Sequence, residues 1–113
     1  MCRLSYMGST LLFTEKLTVL SLKLSRRIAI YMDLFHIDGH EQKYPEGFKY
    51  SWIAFDIENE QNRVLFDCHP PKGPHVHIND LEIAYDWISL EKAEEDFWDY
   101  VNQEFGPLEE VLK

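Results

Sequence analysis

Two stretches of the chain leave little freedom in what it can fold into. "RIAIYMDLF", residues 27 to 35, and "FKYSWIAFDIE", residues 48 to 58, both alternate with a period of two. In the first, Ile28, Ile30, Met32 and Leu34 fall on one side, and Ala29, Tyr31, Asp33 and Phe35 on the other. In the second, Phe48, Tyr50, Trp52 and Ala54 oppose Lys49, Ser51, Ile53 and Phe55. Alternation of this kind places successive side chains on opposite faces of a β-strand. An aromatic content of 14% agrees, because large flat side chains suit a pleated, half-buried surface.

The neighbouring segments extend this pattern. An earlier strand near residues 17 to 24 leads through "LSRR" into the first run. A helix over residues 10 to 24 is the weaker reading, because Thr18, Val19 and Ser21 are poor helix formers. Residues 38 to 47, with Gly39, Pro45 and Gly47, read as a loop. "NEQN" turns the chain and "RVLFDC", residues 63 to 68, returns it as the second half of a hairpin. Pro70, Pro71 and Pro74 cannot donate to a strand ladder, so "HPPKGP" interrupts the sheet and "HVHI" reads as a short strand edge. "NDLEIAYDWI" combines loop and short strand.

The period changes at residue 89. Leu90, Ala93, Phe97, Val101 and Phe105 form a helical stripe, widened by Trp98, with Glu91, Glu95, Asp99 and Asn102 toward water. Ser89 is an N-cap, and Gly106 with Pro107 ends the helix, after which "PLEEVLK" adds a last turn. The expected fold is α+β: an antiparallel β-sheet meander packed against one C-terminal amphipathic helix. It forms a single domain over residues 1–113, with residues 1–8 frayed.

Charge and cysteine usage bound the function. The net charge of −9 argues against broad nucleic-acid binding, which relies on Lys and Arg. The charge is uneven, however. Arg3, Lys16, Lys23, Arg26 and Arg27 face a single acid, Glu15, in the first 31 residues, whereas residues 79 to 113 are strongly acidic. Arg26 and Arg27 read as part of a solvated turn. Cys2 and Cys68 make no disulfide framework, and Cys68, in phase with Val64 and Phe66, reads as a small buried residue. No apolar run has the length of a membrane span, and no secretory h-region opens the chain. A soluble, cytoplasmic protein without a membrane partner is expected.

The chemistry concentrates in "HPPKGPHVHIND", residues 69 to 80, which holds three of the five histidines. If "HVH" is extended, His75 and His77 point to the same side. Imidazoles exchange protons near neutral pH, so the pair could act as base and acid in phosphodiester cleavage, with Lys72 stabilising charge on phosphate. His69, His75, His77, Cys68 and Asp67 also include enough ligand types for zinc. Their spacing fits no established zinc motif, so no cofactor is expected and zinc is the alternative. The competing structural reading is a Pro-rich exposed loop with surface histidines. His36 reads as a sheet-edge side chain, and His40 as a loop residue.

The order of these features resembles the TumE toxin family of prokaryotic toxin–antitoxin modules. The resemblance rests on "KYSW" (Lys49 to Trp52), "FDC" (Phe66 to Cys68), "KGPHVH" (Lys72 to His77) and the C-terminal amphipathic helix, over roughly residues 10 to 105. Phe66 and Cys68 stand where that family's pattern has tyrosine and asparagine. The resemblance implies a small cytoplasmic toxin held inactive by a cognate antitoxin protein. Carried over, the matched positions are Asp67, Lys72, His75 and His77. The expected activity is metal-independent, ribonuclease-like growth inhibition with RNA as substrate. His75 and His77 are its base and acid, Lys72 its phosphate contact and Asp67 the orienter of a histidine. The rival is a non-enzymatic protein-interaction module with structural histidines.

Overall fold

A computed structural model describes residues 9–37, 47–69 and 73–110. Its elements are β1 (Ser9–Ser21), β2 (Arg26–Ile37), β3 (Phe48–Asp56), β4 (Asn59–His69), β5 (Gly73–Ile78), β6 (Leu81–Ala84), α1 (Leu90–Phe105) and β7 (Leu108–Glu110). The seven strands form one sheet in the order β6-β5-β4-β3-β2-β1-β7, and every pairing is antiparallel. The first six strands meander in chain order. The helix then carries the chain from the β6 edge across one face to the far edge, where β7 pairs with β1. The fold is the α+β meander with one C-terminal helix that the two periodicities imply. Among the described residues no helix is long and apolar enough to cross a membrane.

The helix forms where its stripe requires. Ala93, Phe97, Val101 and Phe105 are buried, and the Ser89 side chain accepts a hydrogen bond from the Lys92 amide. Phe97 packs edge-on against Trp52 and Phe66, at ring-centroid distances of 5.9 and 5.6 Å. At the other end, the Ser21 hydroxyl donates to the Phe105 carbonyl at 2.6 Å, giving a partner to one of the carbonyls that a helix end leaves unpaired. Gly106 has φ 71, and a Cβ there would lie 2.9 Å from Cβ of Lys23. Both its conformation and its neighbour therefore call for glycine.

Several expectations need correction. β1 begins at Ser9, well before residue 17, and pairs with β2 along its whole length. The Leu22–Ser25 turn ends before Arg26, which forms a 2.9 Å ion pair with buried Asp56 in place of a solvated turn position. The β3–β4 turn is Ile57–Glu58, two residues before "NEQN". Asp56 Oδ1 accepts the Glu58 amide at 2.9 Å, an Asx turn, and the register then shifts between Asp56↔Asn59 and Phe55↔Arg63. β5 is an interior strand, flanked by β4 and β6, and β2, which carries His36, is interior as well. Leu108–Glu110 is a strand, where a last helical turn was expected. The expected loop 38–46, with His40, and the frayed segment 1–8 lie outside the described residues.

Candidate functional site

The alternation that builds the sheet also divides its residues between two environments. On the helix-covered face, β3 contributes Tyr50, Trp52 and Ala54, β4 contributes Val64, Phe66 and Cys68, and β5 contributes Val76, all of them buried. Among the described residues no helix covers the other face. Register places Asp33, Ser51, Asp67, His75 and Ala84 directly opposite one another across five strands. The adjacent row runs Lys16, Tyr31, Ile53, Leu65, His77 and Glu82. The histidines are therefore neighbours along β5 on the open face, with Asp67 opposite one and Glu82 opposite the other.

Side-chain geometry tightens this grouping. The rings of His75 and His77 are 5.0 Å apart, centroid to centroid, and edge-on. His75 Nδ1 lies 3.0 Å from the Gly73 carbonyl. A carbonyl can only accept, so Nδ1 carries the proton and, in the neutral ring, the lone pair is on Nε2. Nε2 is 4.0 Å from Asp67 Oδ2. His75 is only 4% exposed despite its position on the uncovered face, whereas His77 is half-buried and Glu82 exposed. An open cleft of about 380 Å³ is lined by Pro74, His75, Glu82 and Ala84.

Three of the four expected site residues thus come together: Asp67, His75 and His77. Lys72, the expected phosphate contact, lies outside the described residues, as does Lys43. Lys49 and Arg63 both fall on the open face, Lys49 one residue pair beyond Ser51 and Arg63 two pairs from Asp67 along β4. The immediate flanks of the histidines are acidic. Glu82 is the residue that sequence reasoning missed. Asn79 has φ 56 and Asn79–Asp80 form a two-residue turn, the chemistry of a tight hairpin. Reading "HINDLE" as that hairpin pairs residue 77 with residue 82.

Cys68 is not part of this group. It is fully buried on the helix side, and burial, reinforced by the charge of Asp67, pushes its thiol up to about 11. That makes it a poor nucleophile at neutral pH. Burial likewise pushes the Tyr50 hydroxyl far above its ordinary range, helped by Cys68, Tyr85 and Asp67. Comparison of the chain with protein-family models, with curated proteins and with solved structures finds no match.

Proposed function

We propose that this chain is the toxin component of a prokaryotic toxin–antitoxin module, of the TumE kind, which acts in the cytoplasm by cleaving RNA without a metal and is held inactive by a cognate antitoxin. The observation that carries the reading is the side-by-side placement of His75 and His77 on the open sheet face, with the Asp67 carboxylate 4.0 Å from His75. Two adjacent imidazoles can take the proton from an RNA 2′-hydroxyl and give one to the departing 5′-oxygen. The 2′-oxygen attacks the neighbouring phosphorus, the bond to the 5′-oxygen breaks, and a 2′,3′-cyclic phosphate and a 5′-hydroxyl result. Asp67 orients His75, while Lys72 and Lys49 contact phosphate. The test is induced expression in a bacterial host, wild type beside the His75→Ala/His77→Ala double variant at matched levels. Growth arrest by the wild type alone is the expected result. Arrest by both variants removes the histidines from the mechanism.

A second reading, a protein-interaction module, draws on the same face. Tyr31 is 41% exposed, packs edge-on against Phe55 at 5.6 Å, and continues into Ile53 and Leu65. An apolar strip on an uncovered sheet face can seat a partner. Under this reading the double variant keeps its effect and substitution of Tyr31 removes it.

A further inference from the structure

The geometry points to His75, His77 and Glu82 as a three-ligand site for a divalent transition metal of the zinc class. One donor atom from each of the three residues lies within 4.8 Å of the others. Three donors on one zinc ion sit roughly 3.4 Å apart, given metal–ligand bonds of about 2.0–2.1 Å, so small rotations of the side chains suffice. Two neutral imidazoles and one carboxylate are a donor set that such metals take, with further coordination positions left for water or a ligand. The strands fix the arrangement. His75 and His77 are i, i+2 on β5, and Glu82 is the direct cross-strand partner of His77 on β6.

Two further observations favour a metal over a chance cluster. The Gly73 carbonyl accepts from His75 Nδ1 at 3.0 Å, which leaves the lone pair on Nε2. That is the outer hydrogen bond a metal-binding histidine ordinarily makes. The Asp67 carboxylate, 4.0 Å from Nε2, adds negative charge beside the site, which favours a cation there. The cleft bordered by His75 and Glu82 gives an ion its route from solvent.

Binding of the metal is independent of the proposed RNA chemistry, but it has a consequence if that reading holds. An imidazole whose lone pair is on a metal has none for a proton, so the loaded protein is silent and the metal-free protein active. The experiment is titration of the untagged, metal-stripped full chain with Zn²⁺ against a chromophoric chelator, and with Co²⁺ followed by its visible absorption. One ion per chain is expected, weakened about tenfold or more by Glu82→Gln and by His77→Ala. Circular dichroism confirms that both variants fold, and Glu82, on the exposed edge strand, is the safer of the two. Absence of binding overturns the proposal, as does binding that either variant leaves within a few fold of wild type. RNA cleavage is measured separately, so failure of the metal site and failure of the RNA reading give different results.

Discussion

The two faces of the same sheet are built from alternate residues of the same strands, yet they answer to different constraints. On β5, Val76 points to the helix and is buried against Phe66, while His75 and His77 on either side of it point away. On β4, Val64, Phe66 and Cys68 fill the core and Leu65 and Asp67 do not. The covered face is almost entirely apolar, and its buried polar residues serve the fold: Ser21 ties the helix end, and Asp56 holds a turn and Arg26. The open face carries ionisable groups in register. A one-residue step in the sequence therefore separates residues that determine stability from residues free to carry chemistry. His75 shares in both, being buried on the open side.

The sharpest test of this division is a pair of substitutions, one on each face. Phe97→Ala or Phe66→Ala removes a fully buried ring from the aromatic cluster and should cost about 3–5 kcal/mol in denaturant unfolding. Glu82→Gln, at an exposed edge position of the other face, should stay within about 0.5 kcal/mol. Equal losses would erase the distinction between the faces. Next in size is the alkaline limb of stability. The Cys68 thiol ionises near 9.0 when unfolded and at about 11 when folded. Between those values the unfolded chain holds fewer protons, so the contribution is complete below pH 9 and is lost as pH rises through 11. That difference corresponds to about 3 kcal/mol at most. Cys68→Ala should flatten the decline of stability in that window. A decline unchanged by that substitution would place its source elsewhere.

Arg26→Ala removes the cation paired with the buried Asp56 carboxylate and should cost about 1–3 kcal/mol, reduced because the arginine itself is part-exposed. Ser89→Ala should cost about 1 kcal/mol by removing the N-cap. The smallest effect has the opposite sign. Tyr50 Oη is buried without a hydrogen-bond partner among the described residues, within a stack that includes Trp52 and Trp87. Tyr50→Phe should be neutral or stabilising by up to about 1 kcal/mol, since it removes an unsatisfied hydroxyl from the core. A loss above about 1 kcal/mol in thermal unfolding would mean that the hydroxyl has a partner.

The sheet and helix were legible because periods of two and 3.6 are properties of sequence. The turn before β4 was not, since Asp56 competes for the Glu58 amide and turns the chain two residues early. β7 has only three residues and no pattern of its own; it is a strand because β1 offers an unpaired edge and Pro107 cannot continue the helix. The interior position of β5 depends on β6, whose four residues are all exposed and show no alternation in burial. At the site, the shared side of His75 and His77 followed from their spacing alone. The approach of Asp67 and Glu82 required the register of two hairpins, which local composition does not give.

The measurement that tests the account most directly is cleavage of a short end-labelled RNA by the purified chain in excess EDTA, with the fragment ends identified. The account predicts fragments ending in 2′,3′-cyclic phosphate from the wild type. It predicts none from His75→Ala/His77→Ala, a variant that retains the wild-type circular dichroism spectrum and loses about 1–2 kcal/mol of stability. Undiminished cleavage by the double variant, or no cleavage by a wild type that arrests growth, would contradict it.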